Sequence, residues 1–258
     1  MIHALSNVHP DATIGEGVQI GAFSSVAADV VIGKGTVLHP NVVIMDGARI
    51  GEGCEIFPGA VISAVPQDLK FGNEYTTTEI GNNTTIRECV TIHRGTTDKM
   101  KTVVGNNCLL MGYVHVAHDC IIGNNCVLAN YTGLSGHNII GDYVVLEGKV
   151  GSQQFVEIGA HAFVAGASLI RKNIPPFIKV AREPLTFAGV NTIGLRRRGF
   201  TDAQVQQIEN AYRIIFVQNQ NISKGLAQVE AELELTPEVQ FILDFIRRSD
   251  KGVIKGPL

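Results

Sequence analysis

Stepping six residues at a time from Val8, the chain places an aliphatic side chain at Ile14, Ile20, Val26, Ile32, Leu38, Ile44, Ile50, Ile56 and Ile62. The same frame resumes at Ile80, Ile86 and Ile92. It continues through Val104, Leu110, Val116, Ile122, Leu128, Leu134, Ile140 and Leu146 to Ile158, Val164 and Ile170. Of the 28 frame positions between 8 and 170, only Asp68, Glu74, Asp98 and Ser152 are not aliphatic. A period of six fits neither a 3.6-residue helix nor a free alternating strand. It fits short strands joined by tight corners and stacked as a hexapeptide β-helix, with three strands and 18 residues to a coil. Each coil then buries its aliphatic knobs only against its neighbours, so the array is a one-dimensional solenoid. Glycine often follows a frame residue, and the GNN units at 81–83, 105–107 and 123–125 suit corners, because Gly and Asn tolerate left-handed backbone angles.

This frame explains an unusual composition. Charged residues are 17% of the chain, against about 25% in an ordinary soluble domain. The deficit is local. Residues 1–170 carry 8 Lys+Arg and 15 Asp+Glu with 22 of the 28 glycines, whereas 171–258 carry 13 and 9. The apolar content excludes a disordered chain. A net charge of −3 excludes a general nucleic-acid binder. No apolar run is long enough to span a bilayer. The N-terminus has neither a basic nor an apolar leader segment, so the expected location is cytoplasmic.

Cys54, Cys108, Cys120 and Cys126 each stand four residues after a frame position, a slot expected to point inward and to take small residues. They read as core filler, and the odd count without CxxC spacing agrees with a reducing compartment. Two segments break the frame, 66–79 (PQDLKFGNEYTTTE) and 94–101 (RGTTDKMK), and are expected to project as loops. If they preserve phase, Ile62 and Ile80 share one column. The β-helix is expected over 1–174 and a C-terminal α-helical domain over 175–258. In that domain Thr201 and Gln204 form a capping box for a helix running to Gln218, and Thr236 starts another at Pro237 with Arg247 and Arg248 at its end. SKGLAQVEAELEL between them is a weaker helix.

Positions 18 apart from Val104 to Leu146 should stack, which puts Val116, Leu134 and Ser152 in one column. His118, His137, Gln153 and Gln154 then share a face, with His115 near the corner entering it. A histidine titrates near neutrality and can take a hydroxyl proton. Asp119 follows His118 and could orient it, although adjacent strand residues normally point apart. Gly136 offers a backbone N–H suited to an oxyanion. The plain alternative is that surface histidines are inert.

HPDATIGEGVQIGAF, QDLKF, IRECVTIHRGT, HVAHDCIIGNNCVLAN, GVN-x3-LRRRGF and the helical tail together resemble the UDP-N-acetylglucosamine O-acyltransferase family of lipid A biosynthesis. The resemblance implies an all-β solenoid plus α, a left-handed parallel β-helix, assembled as a homotrimer with active sites between neighbours. It implies transfer of an (R)-3-hydroxyacyl chain from acyl carrier protein to the 3-hydroxyl of UDP-N-acetylglucosamine, without a metal or a cofactor. By the family pattern His118 is the general base, Asp119 its partner and Gly136 the oxyanion donor. Asp68, Lys70, His115, His137, Gln154, Asn191 and Arg198 bind the nucleotide sugar. Gly166 occupies the position of an acyl-chain ruler, where glycine leaves room for about fourteen carbons or more. Gln153 and Ile193 depart from the familiar His and acidic residue. Arg171, Lys172, Lys179, Arg182, Arg196 and Arg197 form a basic stretch suited to an acidic carrier protein; its alternative is an ordinary solvated face. Three other readings stay open. One is a zinc-dependent γ-type carbonic anhydrase using His93, His115 and His118. The second is the related lipid A N-acyltransferase, for whose extra N-terminal domain a frame beginning at Val8 leaves no room. The third is a non-catalytic scaffold.

Overall fold

A computed structural model of the chain describes residues 1–219 and 221–256; Gln220, Pro257 and Leu258 of the expected C-terminal domain lie outside the described residues. The strands build three parallel sheets that form the faces of a left-handed β-helix. The first sheet runs in nine strands from Asn7–Val8 to Leu169–Ile170, and the second in eight from Thr13–Ile14 to Glu157–Ile158. The third runs from Gln19–Ile20 through Phe163–Val164. Most strands are two residues long, and the second residue of each is the frame residue, aliphatic in all but Gly151–Ser152. These residues stack coil on coil inside the prism: Ile56, Ile62, Ile86, Ile92, Leu110, Val116, Leu128 and Leu134 are wholly buried.

The corners obey a second rule. The third residue after the frame position takes a left-handed backbone at Asn83, Asn107 and Asn125 (φ 54°, 55° and 57°), as the GNN units predict, but equally at Tyr113, Asp119, His137 and Tyr143. The glycine that opens each GNN unit serves a different purpose. A Cβ on Gly105 would stand 2.5 Å from the Gly123 carbonyl oxygen in the next coil, so that edge of the prism needs glycine for close approach. The four cysteines lie inside as expected. Their thiols point at carbonyls of the next coil, Cys108 at Gly123 (3.2 Å) and Cys126 at Gly141 (3.2 Å).

Both frame breaks project as loops from the edge between the first and second sheets. One expectation fails there: Ile62 and Ile80 do not share a column. Ile62 pairs with Ile92 in the first sheet, while Ile80 pairs with Ile50 and Val104 in the second. Ile92 in turn pairs with Val116. The first loop thus adds two six-residue units and the second adds one. Each keeps the period of six, because the next strand must again point its aliphatic inward, but neither keeps the period of 18.

Segment 175–258 is not helical from its start. Ile178–Ala181 pairs in parallel with Phe163–Val164, and Thr186–Val190 returns antiparallel to it, so the third sheet extends to ten strands. Then follow α1 (Thr192–Arg197), α2 (Asp202–Tyr212) continued by a π-helical segment Arg213–Gln218, α3 (Ile222–Glu232) and α4 (Pro237–Arg247). The Thr201–Gln204 capping box is present, and the Thr236 hydroxyl caps α4 at the Val239 amide. Tyr212, wholly buried, donates its hydroxyl to the Pro176 carbonyl (2.6 Å) and fixes α2 on the last coil. Arg247 pairs with Glu230 at 2.6 Å, and Arg248 with Glu157 of the β-helix. Among the described residues no helix is long and apolar enough to cross a membrane.

The corner rule is testable at Asn125. Asn125→Gly should leave thermal stability almost unchanged, whereas Asn125→Val should destabilise by about 1–2 kcal/mol, the usual cost of a left-handed residue bearing a branched Cβ.

Candidate active site

The first sheet faces outward into a cleft of about 530 Å³ lined by Gln67, His115, His118, Gly136, Gln154 and Arg171, with Leu134, Leu169 and Ile170 along its floor. The cleft follows the column Val116–Leu134–Ser152–Ile170, whose register is unbroken. His118 and Asp119 turn the corner from Val116 to Ile121. Neighbouring residues meet here because Asp119 is the left-handed residue of that corner (φ 60°) and so turns its side chain back beside the one before it. His118 Nδ1 lies 2.8 Å from Asp119 Oδ2.

The carboxylate is wholly buried and heavily bonded. Its Oδ1 accepts from the amides of Thr96 (3.0 Å) and Lys99 (3.2 Å), and its Oδ2 also accepts from the Thr96 hydroxyl (2.7 Å). Burial alone would raise the Asp119 pKa, but the bonds from Thr96, His118 and the loop amides outweigh it and hold the group below the usual carboxylate range. An ionised Asp119 fixes the proton of His118 on Nδ1 and leaves Nε2 as the basic nitrogen. That nitrogen faces Gly136: a Cβ there would stand 2.7 Å from Nε2 and 2.6 Å from Cε1. Glycine is therefore required so that the ring and the backbone can share the space. Among the described residues the Gly136 amide has no protein acceptor.

His137 stands edge-on to His118 (centroids 5.0 Å), stacks on Phe155 (4.3 Å) and bonds Asp98 Oδ2 (3.0 Å). Potential ligand atoms of His118, Asp119 and His137 lie within 4.8 Å of one another, a spacing that could hold a cation, although the Asp119 oxygens are already occupied by loop donors. His115 bonds the Thr91 hydroxyl (2.8 Å) and meets His93 edge-on. Burial lowers the pKa of His115, and burial plus the neighbouring His115 and His118 push His93 down to about 4, so both rings are neutral at pH 7.

A single chain thus gathers His115, His118, Asp119, Gly136, His137, Gln154 and Arg171 of the residues predicted from sequence. Others lie apart. Asp68 and Lys70 are on the 66–79 loop, where the Asp68 carboxylate accepts the Lys70 amide (2.9 Å), and it is Gln67 that reaches the cleft. Asn191 and Arg198 sit at the opposite edge of the second sheet, around His161. The Asn191 side-chain Nδ2 donates to the His161 carbonyl (2.9 Å), and Arg198 lies 3.3 Å from the His161 Nδ1 and over the Tyr143 ring. Burial and then the Arg198 cation push His161 down to about 4. Gly166 occupies the edge before Leu169, its amide bonded to Glu147. In the basic stretch Arg171 pairs with Glu183 (3.1 Å) and Arg196 with Asp202 (2.8 Å), while Lys172, Lys179, Arg182 and Arg197 spread over the last coil and α1.

Sequence reasoning missed Thr96, Asp98, Lys99 and Gln67. The only signal for them was membership of the two frame-breaking loops. It also left Ser152 unexplained. This inward hydroxyl accepts the Ser135 amide (3.2 Å) and bonds buried Asn138, bracing the strand that leads to Gly136.

Residues 173–254 match the family described as Udp N-acetylglucosamine O-acyltransferase, domain 2, and residues 29–64 and 101–136 match the bacterial transferase hexapeptide family. The chain is 54% identical over 245 residues to the acyl-[acyl-carrier-protein]–UDP-N-acetylglucosamine O-acyltransferase of Chlorobaculum tepidum, covering 95% of this chain and 93% of that one. It is 49% identical over 253 residues to the protein of the same name from a Sulfurihydrogenibium species, covering 98% and 93%. The crystal structure of LpxA, a UDP-N-acetylglucosamine acyltransferase from Bacteroides fragilis, superposes with a TM-score of 0.97 at 49% identity, covering 99% of this chain and all of that one.

Gly136→Ala is expected to push the His118 imidazole off Asp119, visible as a rotated ring in a crystal structure of the variant, with the β-helix coils undisturbed.

Proposed function

Because the chain belongs to the UDP-N-acetylglucosamine O-acyltransferase family, we propose that His118, Asp119 and Gly136 carry out its reaction as general base, orienting carboxylate and oxyanion donor. The reaction is transfer of an (R)-3-hydroxyacyl chain from acyl carrier protein to the 3-hydroxyl of UDP-N-acetylglucosamine, the first acylation of lipid A biosynthesis. The observation that carries the assignment is the His118 ring, held through Nδ1 by a buried, ionised carboxylate with Nε2 against the open Cα face of Gly136 in an open cleft.

In the proposed step Nε2 takes the proton of the sugar hydroxyl while its oxygen attacks the thioester carbonyl. The carbon–sulfur bond then breaks, and the imidazolium returns its proton to the leaving thiolate. The Gly136 amide steadies the oxyanion of the tetrahedral intermediate. No covalent acyl-enzyme is needed, and the buried thiols take no part; burial pushes Cys120 up to about 12. The zinc reading with His93, His115 and His118 is not favoured, since relatives over nearly the full length are acyltransferases and the Nδ1 atoms of His115 and His118 are engaged by Thr91 and Asp119. The N-acyltransferase reading falls on the same relatives.

We place the nucleotide sugar against His115, His137 and Gln154, with Asp68 and Lys70 above it; the Lys70 ammonium suits a diphosphate as a point charge. Asn191 and Arg198 stand at the far edge of the second sheet and can join this set only from another protomer. That division supports a homotrimer with sites between neighbours. The basic residues Arg171, Lys172, Lys179, Arg182, Arg196 and Arg197 would steer the acidic carrier protein, with Arg171 nearest the cleft. Five unpaired cysteines support a cytoplasmic setting.

Gly166 is proposed as the chain-length ruler. A Cβ there already comes within 3.3 Å of the Gly148 carbonyl oxygen, so a longer side chain must turn outward into the groove.

Two measurements test this reading. With UDP-N-acetylglucosamine and a panel of 3-hydroxyacyl carrier proteins, His118→Ala should lose about 10²–10⁴-fold in activity, the usual contribution of a positioned base; unchanged transfer would refute the mechanism. In the same assay Gly166→Met should favour shorter donors, and an unaltered chain-length profile would sink the ruler assignment.

A further inference from the structure

The 94–101 loop breaks the hexapeptide frame, yet the chemistry assigned to the cleft uses none of its side chains. Its cost is plain: it interrupts a coil and carries Thr96 into a buried position, 7% exposed. What it gains is contact with Asp119. Among the described residues that carboxylate accepts four hydrogen bonds, and three come from this loop: the Thr96 amide and Lys99 amide to Oδ1, and the Thr96 hydroxyl to Oδ2. Only the fourth comes from His118. The Lys99 ammonium adds a bond to the Asp119 carbonyl (3.3 Å), and Thr102 at the loop's end accepts the Asp119 amide (2.8 Å). The loop is itself closed by the Met100 amide on the Thr96 carbonyl (2.8 Å) and meets the other loop where the Thr97 amide reaches Glu74 (3.3 Å).

We propose that Thr96 is the positioning residue of the His118–Asp119 pair, its hydroxyl and amide clamping both carboxylate oxygens so that Oδ2 is presented to His118 Nδ1. The inference rests on the assignment of His118 and Asp119 as base and partner. Thr96 does not line the cleft and touches no substrate; it acts through Asp119. The physical reason is rotational. A carboxylate whose Oδ2 is bonded by His118 alone can follow the imidazole about its terminal torsion, which is broad and soft. One bonded at both oxygens by a single residue is fixed in plane as well as in place. A histidine base that must meet a hydroxyl at hydrogen-bond distance depends on that orientation. The same loop supplies a second strut, since Asp98 Oδ2 holds His137 Nδ1 at 3.0 Å.

The test is a mutational cycle in the purified full-length enzyme, with a 3-hydroxyacyl carrier protein and UDP-N-acetylglucosamine. Thr96→Val keeps the volume and the amide but removes the hydroxyl. It should lower kcat about 10- to 100-fold, the scale on which small misplacements act, with the KM for the sugar nucleotide nearly unchanged. Thr96→Ser should restore kcat, which separates the hydroxyl from packing, and Thr96→Ala serves as the second variant should Val not fold. In an Asp119→Ala background Thr96→Val should cost no more than about twofold, because the path it acts through is gone. Wild-type kcat in Thr96→Val and Thr96→Ala, no rescue by Ser, or a full multiplied loss on top of Asp119→Ala would each overturn the inference. Full activity in Asp119→Ala alone would instead remove the assignment of Asp119 as partner of the base, a failure distinguishable from the others.

Discussion

Everything in this protein depends on one repeated contact, an aliphatic side chain from each short strand pressed against its counterparts in the coils above and below. Strands hydrogen-bonded in a sheet lie about 4.8 Å apart, so the stacked knobs are in van der Waals contact along the whole prism. With the knob fixed, the rest of each unit has little freedom. The chain must turn within a few residues, and it does so by a left-handed residue three places after the knob, whether that residue is Asn125, Tyr131 or Asp119. One position later a small side chain returns to the interior, as the four buried cysteines do.

The candidate active site is a use of that constraint. Adjacent residues on a strand point to opposite sides, so a histidine and an aspartate next to each other would ordinarily not meet. At a left-handed corner they do. The same corner one coil on supplies His137, and the turn leading to it supplies Gly136, whose missing Cβ makes room for the His118 ring. Burying the Asp119 charge beneath such a corner would be costly without donors. The inserted loop between Thr91–His93 and Lys101–Val104 brings them, and so an insertion that interrupts the coil stabilises the buried carboxylate beside His118.

The prism also divides labour among its edges. The edge between the first and second sheets holds His118, Asp119 and both loops. The edge between the second and third holds the glycine column, which runs on to Gly159, and in the later coils also the stacked Tyr143, His161 and Phe177 beside Arg198. A rigid solenoid cannot fold one edge onto another, which is why the proposed sharing of the sugar nucleotide between two edges calls for more than one copy of the chain.

Much of this was legible in the residues themselves. A period of six held over 28 positions admits few folds, because each step commits one side chain to the interior. It therefore determined the solenoid, the register from Val104 to Ile170, the inward cysteines and the shared face of His115, His118, His137 and Gln154. The helix caps at Thr201 and Thr236 were equally local, being set by hydrogen bonds within four residues. What lay beyond reach was whatever depends on contacts between segments. The loops conserve the period of six but shift the columns, so pairing of Ile62 with Ile92 could be seen only once the strands were in place. The strands Ile178–Ala181 and Thr186–Val190 carry no repeat and form because an open sheet edge is there to receive them. Thr96 bonds a carboxylate 23 residues away. Sequence periodicity reports which side chains face inward; only the tertiary structure decides which loop comes to lie over which corner, since that is set by how far an insertion displaces the coil.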